Sequence, residues 1–255
     1  SFPLFDVQQV EVIRGPQGTL FGRNTTAGII KFDSVKPRQD FDAYVKTTAG
    51  TLGQFNLEGA VGGGLTDELS ARISLLSQNR SDWIDNAYLN ESDAMGGYQE
   101  RAGRVQFLYE TADFNALLNL HSRNYAGTAS IFRANVFTKG SNDLNENYDR
   151  DTVYYDATVN NPQEYDSWGG SLKFDFMFDD MTLTSISSYE TASGFSQSDV
   201  DGGTLEGPGF IPFPSSTRDE LKDLEQNQLI CRKQNNDKVP KVFYSLSGYG
   251  KTVIP

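Results

Sequence analysis

Ser171-Leu172-Lys173-Phe174-Asp175-Phe176-Met177-Phe178 alternates strictly, with Leu172, Phe174, Phe176 and Phe178 on one side and Ser171, Lys173, Asp175 and Met177 on the other. Successive side chains of a strand point to opposite faces, so this period predicts a strand with one apolar and one mixed polar face. The pattern recurs on the N-terminal side. Phe114, Ala116, Leu118 and Leu120 alternate with Asn115, Asn119 and His121, and Val105, Phe107 and Tyr109 with Arg104, Gln106 and Glu110. Leu69, Ala71, Ile73 and Leu75 make another apolar face, and Phe55, Leu57 and Val61 alternate with Asn56 and Glu58. Helical periodicity is hard to find between Phe41 and Tyr189, so the chain is expected to be mainly β.

The connections alternate in length. Leu65-Thr66-Asp67-Glu68, Thr111-Ala112-Asp113 and Asp179-Asp180 read as tight turns, whereas Trp83 to Gly97, Tyr125 to about Asp166, and Gln197 to about Thr217 are long links. Thr51 to Gln54 is short although it falls on the long-loop side. Short turns on one side and long loops on the other characterise an outer-membrane barrel, and a soluble sandwich has no reason to segregate them. Tyr44, Tyr88, Tyr98, Tyr109, Tyr125, Trp168 and Tyr189 fall at or near strand ends, where a barrel carries its aromatic girdles. The alternative is a soluble or surface antiparallel β-sandwich with aromatic core residues.

Composition is compatible with both. The 255 residues carry a formal net charge of -12 and 37% hydrophobic residues. No apolar run approaches the roughly 18 residues of a spanning helix, but a transmembrane strand needs only about 10 residues of alternating polarity. The acidic balance argues against nucleic acid as a partner. One cysteine, Cys231, excludes an intramolecular disulfide framework and a multi-cysteine metal site. Ser1-Phe2-Pro3-Leu4-Phe5 lacks the features of a signal peptide, so the chain is expected to be mature, internal or truncated.

Ahead of the strands lies Val10-Glu11-Val12-Ile13-Arg14-Gly15-Pro16-Gln17-Gly18-Thr19-Leu20-Phe21-Gly22-Arg23-Asn24-Thr25-Thr26-Ala27-Gly28-Ile29-Ile30-Lys31-Phe32. It reads as strand, Gly/Pro-punctuated loop, strand. Its glycines fit neither nucleotide-binding pattern, and no helix follows to meet a phosphate.

This run closely resembles the end of the plug domain of TonB-dependent outer-membrane receptors: Val/Ile-Glu-Val-x-Arg-Gly-Pro-x-Gly leading to Tyr/Phe-Gly-x-Asn/Gly-x-x-Gly-Gly and an apolar strand. Arg14, Gly15, Pro16, Gly18, Gly22, Arg23, Asn24 and Gly28 carry the match, and Ala27 stands where the family usually has glycine. Val35-Lys36-Pro37 resembles the family's passage from plug to barrel. The resemblance implies a partial antiparallel transmembrane β-barrel preceded by the C-terminal part of a plug domain. Residues 1–37 would be plug, 38–226 the N-terminal part of the barrel, and 227–255 an atypical tail. A plug cannot fit inside an eight-stranded barrel, so the strands legible here are expected to be part of a larger wall of roughly 22 strands.

By the same resemblance the function would be energised uptake of a scarce nutrient across the bacterial outer membrane. The cargo would be a ferric siderophore, another iron complex or another small nutrient, with no catalysis and no cofactor. The TonB complex would be met through a segment ahead of Ser1, and outer-membrane lipid would surround the strands. Arg14 and Arg23 would pair with inward carboxylates such as Glu58, Glu110 and Asp175. The long link from Tyr125 to Asp166 is the expected ligand-contacting loop, with Tyr148, Tyr154 and Tyr155 as candidate contacts. Asp143-Leu144-Asn145-Glu146-Asn147 begins like a calcium loop, but Tyr148 replaces the turn glycine and Tyr154 the bidentate Glu, so no metal site is expected. His121 falls on a polar strand face and is expected to be a satisfied lumenal side chain. A passive porin would lack the Val10 to Phe32 segment. After Gln226 basic residues prevail and the alternation is lost, which predicts a frameshift or an artificial end of the reading frame.

Overall fold

Alternation becomes long antiparallel strands. The computed structural model describes residues 3–18, 25–156, 160–179, 181–199 and 202–203, together with the backbone of strands 216–235 and 242–246. An N-terminal hairpin pairs β1 (Val7–Arg14) with β2 (Gly28–Ser34). A nine-stranded sheet then holds β3 (Asp42–Ala49), β4 (Phe55–Gly64), β5 (Leu69–Arg80), β8 (Tyr98–Glu110), β9 (Phe114–Thr128), β11 (Pro162–Phe178), β12 (Met181–Asp199), β13 (Ser216–Asn235) and β14 (Val242–Leu246). Its order follows the chain, every neighbouring pair is antiparallel, and the sheet is open at β3 and β14 among the described residues. The members missing from that series, β6 (Ile84–Asn86), β7 (Glu91–Met95) and β10 (Thr152–Val153), form a separate three-stranded sheet in the long loops.

Register decides which side chains share a face. Val45, Gly59, Leu75, Gly103, Ser122 and Trp168 form one cross-strand row, and Ala43, Val61, Ile73, Val105 and Leu120 the next. These rows point outward, and the apolar faces read from the sequence are the exposed ones: Ile73 is 45% accessible, Leu75 61%, Trp168 58%. Residues one position on, among them Ser70, Arg72, Ser74, Glu100 and Gln106, are buried on the other face. A water-soluble sheet buries its apolar face. This sheet does the reverse, and a second sheet to cover the apolar face, as a sandwich requires, is absent among the described residues.

Aromatics outline the outward band. At the short-turn end Phe114 lies 4.9 Å from Phe176 and 5.7 Å from Phe174, with Tyr109 6.3 Å from Phe114. Trp168 and Tyr189 meet at 5.3 Å nearer the long-loop end. From Phe178 to Trp168 the strand rises roughly 33 Å, or about 25 Å along the membrane normal at the usual barrel tilt, which matches the apolar band of such walls. Four of the seven aromatics expected in girdles are elsewhere. Tyr44, Tyr98 and Tyr125 have inward parity, and Tyr88 sits in a loop: being near a strand end does not fix the face, whereas counting by twos does.

The turns at 65–68 and 111–113 share one end of the sheet with the paired ends of β11 and β12 at Phe178 and Met181, and the link at 81–97 and the short turn at 50–54 lie at the other, where β9 ends at Thr128, β11 begins at Pro162 and β12 ends at Asp199. Backbone pairing runs past the change of composition at Gln226, since β13 pairs with β12 as far as Asn235.

Candidate functional site

Two places on the inward side bring charged and aromatic groups together. The first is where the hairpin meets the sheet. Asp6 is buried and its carboxylate accepts from Arg72 Nε at 2.7 Å and Nη2 at 2.6 Å, and from the Ser74 hydroxyl. Arg72 Nη1 also donates to Asp42 at 2.8 Å. With side-chain accessibilities of 3% and 0%, the pair is out of water, and removing Arg72 would leave the Asp6 carboxylate buried without its ion-pair partner at a cost of roughly 3–5 kcal/mol. Burial alone pushes the Asp6 carboxyl up, but the Arg72 and Ser74 hydrogen bonds and the Arg72 and Arg104 charges outweigh it and hold it below its ordinary range. Phe5 packs on Leu76 and Ala102, and Gln106 Nε2 reaches Ser34 Oγ at 3.4 Å.

The polarity of this contact is the opposite of the one expected. A hairpin carboxylate meets a sheet arginine, while Arg14 is exposed and without an ion pair among the described residues. Glu58 is engaged by Tyr44 Oη at 2.7 Å and Lys46 at 3.8 Å, and Asp175 by Thr184 and by Lys173 at 2.6 Å. Glu110 has inward parity but is exposed. Gly22, Arg23 and Asn24 lie outside the described residues. In the hairpin, Gly15 N donates to Ala27 O at 3.1 Å and Gln17 N to Thr25 O at 2.9 Å, closing the arms around Pro16 and Gly18. Gly28 has φ 142°, and a Cβ there would stand 2.5 Å from Ile13 O, so glycine is required for the arms to pair.

The second place is the inward face toward the long-loop end. Arg123 donates to Glu100 at 2.7 Å, and its guanidinium lies 5.0 Å from the Tyr165 ring and 5.9 Å from that of Tyr125. Arg80 lies 5.2 Å from the Tyr98 ring and donates to Gly96 O at 3.2 Å. His121 meets Glu190 at 2.8 Å across the intervening strand β11, where Gly169 leaves the room: a Cβ there would stand 1.9 Å from Glu190 Oε2. Arginines stacked on tyrosines offer charge and π-faces together, which suits a planar anionic group. Of this cluster His121, Tyr98 and Tyr125 stand out in the sequence, each for another reason. The others are found by extending parity from the outward leucines to their neighbours.

Above this face the long loops have a core of their own. Ile84, Met95, Val153 and Tyr155 are buried together, with Trp83, Ala94 and Ile131 packed against them. Asn86 ties the sheet together, donating to Tyr155 O at 3.2 Å and Asn160 Oδ1 at 3.0 Å and accepting from Tyr155 N and Tyr88 N. Tyr155 is fully buried, its hydroxyl donating to Phe132 O at 2.6 Å and accepting from Phe132 N at 2.7 Å, and burial raises its pKa. It is therefore a core residue of the loops. An apolar core in a loop is invisible to a reading that equates loop aromatics with contact. Tyr154 is half-buried, and Tyr148 is exposed with Arg133 5.8 Å from its ring. In the stretch that begins like a calcium loop, Asp143 takes the Ser141 hydroxyl at 2.6 Å and Asn145 donates to Asn135 O and Phe137 O.

No family model matches the chain. The pesticin receptors of Yersinia enterocolitica and Yersinia pestis are 35% identical over 108 residues, 40% of this chain. The chain spans 15% of the length of those relatives. Among solved structures, the ferric yersiniabactin uptake receptor FyuA from Yersinia pestis superposes with a TM-score of 0.73 at 17% identity, covering 96% of this chain and 38% of that one. The siderophore receptor PiuA from Acinetobacter baumannii gives 0.73 at 16% identity over 91% of this chain and 32% of its own. The ferric-catecholate import receptor Fiu from E. coli K12 gives 0.67 at 17% over 91% and 36%. The open antiparallel wall with its apolar face outward is thus the fold of these solved receptors, and the Val10 to Phe32 segment resembles the end of the plug domain of TonB-dependent outer-membrane receptors.

Proposed function

We propose that this chain supplies the plug end and the first wall strands of a receptor that imports an iron complex across the bacterial outer membrane. The observation that carries the reading is the buried Asp6–Arg72 pair, which joins a non-wall hairpin to the polar inner face of a wall whose outer face is apolar. A passive porin has no use for such a hairpin. The plug would comprise residues 1–37, with Pro37 fully buried at the junction, and the barrel part 38–226. Glycine and serine on the inner face and the Arg/Tyr cluster around Arg123 form a polar, aromatic surface beneath the loops. That surface suits a ferric chelate, and several solved relatives are named for siderophores. No bond in the cargo is made or broken, so the residues bind and position rather than catalyse. Energy would come through the TonB complex, because the outer membrane holds no ATP or ion gradient.

Import of radio-iron as ferric yersiniabactin or ferric enterobactin, by cells expressing the intact receptor with and without TonB, tests this. TonB-dependent uptake of either chelate is expected. Uptake equal to that of receptor-free cells for both, with the receptor present in the outer membrane, overturns the iron-complex reading.

A further inference from the structure

On the outward face, the row that runs Gly59, Leu75, Gly103, Ser122 and Trp168 is uneven. Gly59, Gly103 and Ser122 carry little or no side chain, so the face is sunk between Val45 and Trp168 into a hollow of about 1080 Å³. Ala60 and Ala102, which have inward parity, also line it, which places its floor at the strand backbones. Val61, Ile73 and Leu75 give it apolar, exposed flanks. Gly103 is not there for the fold: it needs no left-handed backbone, and a Cβ would meet only Leu75 Cδ2 at an ordinary 3.4 Å. Glycine weakens a strand interior, and where the backbone does not require it, it marks a place that something approaches closely.

One outward row nearer the long loops, Ser77, Arg101, Asn124, Asp166 and Ser193 stand side by side and border the same hollow. Asn124 Nδ2 donates to Asp166 Oδ1 at 2.6 Å, whereas Arg101 is exposed and makes no ion pair among the described residues. Trp168 marks the interfacial level, so Arg101 is a cation at headgroup height at the head of an apolar groove. Outward positions stay outward however many strands complete the wall, so the rest of the barrel does not cover them.

We propose that this groove binds a phosphorylated, acylated glycolipid of the outer leaflet, a lipid A molecule. An acyl chain lies over Gly59, Gly103 and Ser122, Arg101 holds a phosphate, and the side chains of Ser77, Asn124 and Asp166 meet sugar hydroxyls. The long-loop end of the wall faces the leaflet in which that lipid resides. A phospholipid would use the cation and leave most of the polar row unmatched. The groove lies outside the wall and takes no part in cargo binding, so the inference goes beyond the uptake reading and stands on the lipid-facing wall alone.

The intact receptor in phosphatidylethanolamine nanodiscs, doped with equal mole fractions of lipid A, dephosphorylated lipid A or phosphatidylglycerol and read by native mass spectrometry for retained lipid, tests it. The unmodified receptor is expected to retain lipid A in preference to phosphatidylglycerol. Arg101→Ala should lower lipid A retention about fivefold, the weight of one basic side chain at an anionic lipid surface, and leave the dephosphorylated form unchanged. Gly103→Leu should lower retention of both glycolipids. Leu118→Ala, on the outward face of β9 but outside the groove, should lower neither. Equal retention of lipid A by the unmodified, Arg101→Ala and Gly103→Leu receptors overturns the site, and phosphatidylglycerol retained as well as lipid A overturns the choice of glycolipid. Should Gly103→Leu fail to assemble, Arg101→Ala, at an exposed position, decides alone.

Discussion

Ile73→Arg places a guanidinium in the middle of β5's outward face, between Val61 and Val105 on the neighbouring strands. Ile73 is 45% accessible, so a water-exposed sheet would accept the arginine with a change within about 0.5 kcal/mol. In a bilayer the same position lies in hydrocarbon, and arginine near the midplane of a barrel costs roughly 2–4 kcal/mol, falling toward about 0–1 kcal/mol at the interface. Leu65→Arg, at the short-turn end and 60% accessible, is the matched control and belongs to the interfacial class. Guanidinium unfolding of the intact receptor in liposomes, followed by tryptophan fluorescence, measures both. The expected result is a loss for Ile73→Arg larger than that for Leu65→Arg by roughly 2 kcal/mol. Equal and small losses would refute the assignment of the apolar face to lipid.

Three further outcomes follow from individual contacts. Tyr155→Phe removes the hydroxyl that pairs with the Phe132 N–H and C=O, costing about 1 kcal/mol locally, so the 129–161 loop should become more sensitive to surface proteolysis; unchanged cleavage would contradict a loop core. Gly169→Ala forces Glu190 off His121 and crowds Tyr189 O at 2.7 Å, so the denaturation midpoint should fall, and fall less when Glu190 is already Ala; an equal fall in both backgrounds counts against the bridge. Asp6 has a lowered pKa, so its contribution is complete above the ordinary value of 3.8 and is lost as pH falls through the folded-state value. Amide exchange in Val7–Arg14 should therefore accelerate selectively in acid, and Asp6→Asn should remove that acid dependence.

Strand identity, turn polarity and the lipid face were legible in the sequence because period two is a local property. Leu172, Phe174 and Phe176 declare their face without reference to any other strand. Partners across space were not. Arg72 is separated from Asp6 by 66 residues, and nothing in either neighbourhood says which polar residue on an inward face will be the one beneath the hairpin. Arg14 and Arg23 drew attention through their motif, yet Arg14 stands on the exposed arm, where parity within the hairpin and not charge determines its surroundings. Tyr155 shows a related limit: sequence marks it only as an aromatic in a long loop, whereas Ile84, Met95 and Val153 from two separate loops bury it in an apolar core. The Arg123–Tyr165 cluster needed register across β9 and β11, which alternation within one strand does not contain.

Lipid on one side of the sheet and a polar lumen on the other is the central claim. Single cysteines from Ser171 to Phe178 in the intact receptor, labelled with a fluorophore in liposomes and exposed to lipid-restricted bromine quenchers, read that claim directly. Quenching at Leu172, Phe174, Phe176 and Phe178 with protection at Ser171, Lys173, Asp175 and Met177 is the predicted pattern. Uniform quenching, or none along the whole stretch, would contradict it.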